Sequence, residues 1–423
     1  MIDSSFQASE DFANAMDARD PLRDFRNRFF IPKHAGGDCV YLSGHSLGLQ
    51  PKSAAFYLQQ ELDDWARLGV EGHFRARHPW VPYHKLLAEQ TAELVGARPS
   101  EVVVMNSLTV NLHLMMVSFY RPTAQRHKVV VERGAFPSDQ YAIQSQINFH
   151  GFDPASSLIE LCPLSGESCL REEQIVSVIE RAGDEIALIL LSGVNYATGQ
   201  ALDMKEISRA GRLRGCFVGF DLAHAAGNLQ LNLHEWGPDF AVWCSYKYLN
   251  GGPGCVGGCF VHDRHAKASD VPRFAGWWGH DETSRFRMPS NFQPSAGAEG
   301  WQLSNPSIMS MSVLRASMEI FHEAGMDKLR AKSISLTSYL EFLLNRNASA
   351  RFTILTPAEA ERRGAQISLR LRENGRELCA ALAARGILCD WREPDTLRVA
   401  PVPLYNSYRD VFIFAREFSR LIA

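Results

Sequence analysis

No stretch of this 423-residue chain approaches the roughly 18 apolar residues that a membrane-crossing helix needs, so a membrane partner is not expected. The first twenty residues, MIDSSFQASEDFANAMDARD, are acidic and hold no apolar run, so no signal peptide is expected. Long runs of one charge sign are missing too. With a net charge of −3 and scattered lysines and arginines, the chain has no electrostatic footprint for nucleic acid. Internal repeats and low-complexity tracts are absent. Cysteines number nine, an odd count, and Cys216, Cys244 and Cys259 sit inside apolar runs, which speaks for reduced core thiols in the cytoplasm and against a disulfide framework. Cys255 and Cys259 are spaced CxxxC, but no second pair completes a zinc set and no HExxH occurs, so no metal is expected.

What is present is an ordinary globular composition, 46% hydrophobic and 22% charged, at a length that allows more than one domain. From residue 101 short apolar runs recur at Val102–Met105, Lys128–Val131, Leu158–Leu161, Ile186–Leu191, Cys216–Phe220, Phe240–Cys244 and Gly258–Val261. Most are rich in valine and isoleucine and do not alternate, the pattern of strands covered on both faces. Helical patterns lie between them at Leu108–Phe119, Ser138–Phe149, Arg171–Arg181 and Met204–Arg214. This alternation predicts an α/β fold whose mostly parallel, seven-stranded sheet is flanked by helices. Residues 5–30 read as helical, interrupted at Pro21; a helix carrying Leu58, Leu62 and Trp65 on one face follows the loop YLSGHSLGLQPKS at 41–53. Residues 272–309 read as a long ordered connection, Ile308 to about Leu344 as one long helix, and the tail as a small α/β unit. The expected division is an N-terminal segment, 1–45, packed with the small domain, a large domain, 46–309, and a small C-terminal domain, 310–423.

Candidate chemistry collects at the predicted strand ends, where ligands of such sheets bind. Asp221 ends the strand of FVGFDLAHAAGN, and His224 follows it; 26 residues beyond Asp221, Lys247 ends the strand of FAVWCSYKY. A carboxylate and an amine so placed suit pyridoxal phosphate, which needs an acid at its pyridine nitrogen and an amine for a Schiff base. The phosphate calls for backbone N–H groups at a helix start and hydroxyls, which MNSLTVNLHL offers through Ser107 and Thr109. The ring calls for a flat partner, for which Phe136 in GAFPSDQY is placed, and Ser192 ends a further strand. EGHFRARHPWVPYHK at 71–85 is either a substrate-facing loop or a loop packed on its aromatics.

Eight segments together carry a resemblance over nearly the whole chain: SLGLQP (46–51), LTVNLHL (108–114), FPSDQYAI (136–143), VGFDLAHAAGN (218–228), WCSYKYLNGG (243–252), GWWGH (276–280), SNP (304–306) and RVAPVPLYNS (398–407). In these the chain resembles the kynureninases, a family of fold type I pyridoxal phosphate enzymes. The resemblance implies hydrolytic cleavage of the Cβ–Cγ bond of L-kynurenine or its 3-hydroxy derivative, in tryptophan degradation, by a homodimer with its active site at the subunit interface. It implies Lys247 as the Schiff-base lysine, Asp221 as partner of the pyridine nitrogen, and His224 and Tyr246 as further catalytic groups. Leu108, Thr109, Phe136, Pro137, Ser138, Asp139 and Ser192 would bind the cofactor. Trp277 and Asn305 would reach it from the partner subunit, Asn305 also touching substrate. Arg398 would hold the substrate carboxylate, with Ser46 and His73 near its aromatic end. The family often has Asn where this chain has His45. Two other readings stay open on the residues alone: a cysteine desulfurase, which needs a mobile cysteine, and a catalytically inactive cofactor-binding protein.

Overall fold

The computed structural model describes residues 6–266, 271–346 and 351–422. Its centre is a seven-stranded sheet built from β1 (Val102–Met105), β2 (Lys128–Glu132), β3 (Leu158–Leu161), β4 (Ile186–Ser192), β5 (Phe217–Asp221), β6 (Phe240–Cys244) and β7 (Gly257–Val261). Across the sheet the order is β1-β7-β6-β5-β4-β2-β3. The β6-β5-β4-β2-β3 pairs are parallel, and β7 runs antiparallel to both its neighbours. The valine-rich runs form strands because both faces are covered: every residue of β1, β6 and β7 is buried. The covering helices include α2 (Leu108–Phe119), α3 (Pro137–Phe149), α4 (Glu172–Ala182) and α5 (Met204–Leu213), each in the crossover that follows a strand; α1 (Ala54–Leu68) precedes the sheet. Pro137 occupies the first turn of α3, where its missing N–H costs nothing.

Two corrections to the expected helices have physical causes. The single helix expected from Ile308 is two, α6 (Ile308–Ala324) and α7 (Met326–Arg346), because Gly325 takes φ +77°, a left-handed conformation that ends α6. On α1, Leu62 and Trp65 are not the inward face; Trp65 is 59% exposed. The face turned inward instead buries Glu61 and Asp64. Glu61 accepts from Trp80 Nε1 at 3.0 Å and Tyr83 Oη at 2.8 Å, and Asp64 accepts from the Arg77 N–H at 2.7 Å, so both buried carboxylates are satisfied.

A second, four-stranded antiparallel sheet contains β8 (Phe352–Ile354), β9 (Ile367–Leu371), β10 (Asp390–Arg392) and β11 (Thr396–Val399), ordered β8-β9-β11-β10. Helix α7, α8 (Gly375–Ala383) and α9 (Tyr408–Ile422) pack with it. This core takes in Ala13, Val40 and Leu42 from the N-terminal segment, and Val40–Tyr41 pairs in parallel with Ile387–Leu388. Helix α6 belongs to the core of the large sheet through Met311, Leu314, Met318 and Phe321. None of the helices among the described residues is long and apolar enough to cross a membrane. All nine cysteines are free thiols.

Candidate active site

The carboxyl ends of β2, β4, β5 and β6 open onto one pocket. Leu108, Thr109, Phe136, Ser138, Asp139, Ser192, Asp221, His224, Tyr246 and Lys247 all line it. Parallel register produces the convergence: Ser192 and Asp221 are direct partners at the ends of β4 and β5, and Asp221 pairs with Val242 two residues before β6 ends. Asp221 is buried, and its Oδ1 accepts the Ala223 N–H at 2.6 Å. Lys247 Nζ lies 3.2 Å from His224 Nε2 and 5.8 Å from the centre of the Phe136 ring. Burial, then the Lys247 charge, push the His224 pKa well below the ordinary histidine value, so the imidazole is neutral. Burial and the neighbouring Cys244 raise the Tyr246 pKa, which keeps its phenol protonated. Asp139 is raised well above the usual carboxylate range by burial and then by the Asp221 charge.

Three polar lining residues, Glu132, Asn195 and Tyr196, are not singled out by the sequence. Glu132, at the end of β2, is buried and accepts the Ser192 N–H at 3.0 Å, the Ser192 hydroxyl at 2.5 Å and the Asn195 side-chain amide at 2.6 Å. Ser192 and Asn195 thereby fix the β4 loop to β2, and Tyr196 stands edge-on to Phe136 at 5.2 Å. The signal for Glu132 was its position: it ends a strand as Asp221 does.

Other expected residues lie elsewhere. Pro137 opens α3 beside Phe136. Ser46 and Arg398 meet each other outside the lining set, with Arg398 Nη2 donating to Ser46 Oγ at 3.1 Å. Their neighbour His45 is fully buried, its ring 6.4 Å from that of His224. His73 packs edge-on against Trp80 at 5.5 Å. Trp277 is half-exposed and bonds to the Arg285 carbonyl at 3.4 Å. Asn305 lines a separate surface depression with Asn106 and Ser107. Within one chain, then, His73, Trp277 and Asn305 are not brought to the pocket.

The pocket fits pyridoxal phosphate. Leu108 and Thr109, the first residues of α2, line the pocket, so its first turn fronts it, and the N-cap Ser107 makes no side-chain capping bond that would occupy the N–H groups a phosphate needs. His224 Nδ1 is buried without a hydrogen-bond partner. The donor set combines a carboxylate, an amine and a flat ring, as the cofactor requires. A cysteine is missing from the lining; Cys255 and Cys259 are buried, and burial lifts the Cys255 thiol to about 11, so neither offers the mobile thiolate of a desulfurase. Away from the pocket, at the opposite ends of the strands, Glu101, His234, His262 and Asp263 bring possible metal-ligating atoms within 4.8 Å of one another. That Glu101 carboxylate is already engaged, by His234 Nδ1 and by the N–H groups of Arg98 and Asp263, each at 2.9 Å.

Among solved structures the fold is shared by a cysteine desulfurase from Escherichia coli, at TM-score 0.76 and 18% identity over 95% of this chain and 98% of that one. It is shared also by a C-DES variant with glycine covalently linked to its PLP cofactor, at TM-score 0.74 and 17% identity over 90% and 96% of the two chains. Sheet order and strand-end groups together give the chain the fold type I architecture that these enzymes share. Residues 329–418 match the kynureninase C-terminal domain model. Kynureninases of Koribacter versatilis and Myxococcus xanthus are 67% and 59% identical, covering 99% and 97% of both chains in each pairing. The chain belongs to the kynureninase family.

Proposed function

We propose that this chain hydrolyses the Cβ–Cγ bond of L-kynurenine, or of its 3-hydroxy derivative, to L-alanine and anthranilate or 3-hydroxyanthranilate, in the cytoplasm and as a step of tryptophan degradation. The observation that carries this is the meeting of Asp221, His224 and Lys247 in one pocket of a chain from this family. Bound there, pyridoxal phosphate supplies an electron sink for the bonds at the Cα and Cβ of an amino acid. Leu108, Thr109 and Ser138 would hold its phosphate end, Phe136 would cover its ring, and Asp221 would keep its pyridine nitrogen protonated. Lys247 would hold the cofactor through its amine and, with that amine free, would move the proton at the substrate Cα. Neutral His224, 3.2 Å from that amine, accepts from it and steers it. The protonated phenol of Tyr246 donates to the oxyanion that water addition creates at the γ-carbon. Arg398 holds the substrate carboxylate, a task suited to its planar fork, and Ser46, which accepts from Arg398 at 3.1 Å, stands beside that carboxylate and not at the aromatic end where it was expected.

The active form is proposed to be a homodimer that completes each pocket with the partner's Trp277 and Asn305. Support comes from an exposed aromatic cluster: Phe74 and Trp277 each lie within 6 Å of Phe286, and all three rings are at least 42% exposed. A large and a small domain with an N-terminal segment are proposed on the two separate cores, α7 bridging them through Leu329 in the first and Leu336, Tyr339 and Leu340 in the second; α6 packs with the large domain, which carries the expected boundary at 309/310 beyond Ala324. Steady-state kinetics on both kynurenines, with sulfide release from cysteine measured alongside, test the reading. Anthranilate or 3-hydroxyanthranilate formation without sulfide is expected; sulfide release alone would overturn it.

A further inference from the structure

The guanidinium proposed to hold the substrate carboxylate already holds one. Asp390 on β10 and Arg398 on β11 are cross-strand partners in the antiparallel register, which sets their side chains on the same face. Arg398 Nη2 donates to Asp390 Oδ2. Arg398 Nη1 donates to the Tyr196 carbonyl at 2.8 Å, while Nε is buried and has no partner. The fork made by Nε and Nη2, which a carboxylate grips with both oxygens, is therefore half used. Asp390 itself is surrounded by donors. Ser46 Oγ donates to its Oδ2 at 2.9 Å, and Arg392 Nη2 lies 3.2 Å from the same oxygen. His45 Nε2 stands at 3.4 Å, its pKa held well below the ordinary value by burial and by Arg398.

We infer that Asp390 is a resident carboxylate that occupies Arg398 until substrate arrives, is displaced by the substrate carboxylate, and is retained by Arg392 and Ser46. Two arginines facing one aspartate make the exchange feasible. The incoming carboxylate takes the Nε–Nη2 fork, so Arg398 is never left buried with its charge uncompensated. Asp390 moves no further than its second arginine, whose side chain is 41% exposed and free to follow. The device also sets specificity. A ligand without a carboxylate cannot replace Asp390, so Arg398 stays closed to it. The inference rests on the reading of Arg398 as the carboxylate site, and it adds Asp390 and Arg392 as positioning residues with opposite effects on affinity.

The test is calorimetric binding of two probes to the holoenzyme: L-alanine, the aliphatic product of the proposed reaction, and ethylamine, which lacks the carboxylate. Asp390→Asn removes the competing charge and keeps the shape. It should tighten L-alanine by roughly ten-fold, since a hydrogen bond to a charged group is given up more easily by a neutral amide, and leave ethylamine unchanged. Thermal unfolding of this variant should show a larger rise on adding L-alanine than the parent does. Arg392→Gln should weaken L-alanine selectively. Weaker L-alanine binding by Asp390→Asn, or equal changes for both probes, would overturn the inference; should that variant not fold, the absence of a selective loss in Arg392→Gln would do so. Failure of the parent to cleave kynurenine while these selectivities hold would fault the substrate reading and leave the role of Asp390 standing.

Discussion

Substituting Gly48 by alanine should disable the enzyme without unfolding it. Gly48 lies in the 41–53 loop and donates its N–H to the Tyr246 carbonyl at 2.8 Å, so it rests directly on the lysine loop. A Cβ at this position would stand 2.3 Å from the Lys247 carbonyl oxygen, 2.4 Å from Asn250 Oδ1 and 2.8 Å from Asn250 Cα. Ordinary contact begins at 3.4 Å, so the Lys247 backbone must give way by about an ångström. It has little room, because the Lys247 carbonyl also accepts the Asn250 N–H at 3.0 Å and Asn250 is fully buried. A displacement of that size at a reacting group costs on the order of 100-fold in rate. Single-turnover kinetics with the cofactor-saturated variant measure the loss, and circular dichroism checks the fold. A variant with parent-like rate and parent-like cofactor absorption would refute the reasoning that Gly48 sets the position of Lys247.

Three further outcomes are expected. Asp139 has a raised pKa from burial and from Asp221, so its contribution to stability is full below the unfolded value of about 3.9 and is lost as pH rises through the folded value; Asp139→Asn apoprotein should lose less stability than the parent across that window in urea titrations, and parallel pH profiles would contradict this. Lys332 and Asp20 form a buried ion pair at 2.7 Å, and Lys332→Ala, which strands the carboxylate, should cost about 3–5 kcal/mol by urea unfolding; a loss under about 1 kcal/mol would show that Asp20 finds another partner. If the proposed homodimer forms through the aromatic cluster, Phe286→Glu should leave a monomer in sedimentation equilibrium and lower activity with it; a variant that sediments as the parent does would remove the cluster from the interface.

Much of the large sheet was legible because its strands are buried on both faces, which leaves uninterrupted apolar runs with the chemistry at their ends. Asp221 and Lys247 could be paired from their positions alone. The antiparallel course of β7 was not legible, since Gly257–Val261 reads the same in either direction. Nor was the inward face of α1. There the buried groups are Glu61 and Asp64, and donors from residues 77–83, together with Arg67 on Asp64, make that burial tolerable. The break at Gly325 was visible as a glycine but not as a left-handed one. The pairing of Arg398 with Asp390 depends on strand register across a loop, which the spacing of the two residues does not reveal. Glu132 was hidden for a simpler reason: a carboxylate at a strand end reads as a solvated cap until Ser192 and Asn195 are seen to close over it.

The central claim is that Lys247, held beside His224 and facing Asp221, makes this chain a kynurenine hydrolase. The most direct measurement is anthranilate fluorescence together with L-alanine release from L-kynurenine, for the purified parent and for Lys247→Ala, both saturated with pyridoxal phosphate. The account predicts equal amounts of the two products from the parent and a loss of turnover by several orders of magnitude in the variant. Turnover of L-kynurenine by Lys247→Ala at the parent rate would contradict it.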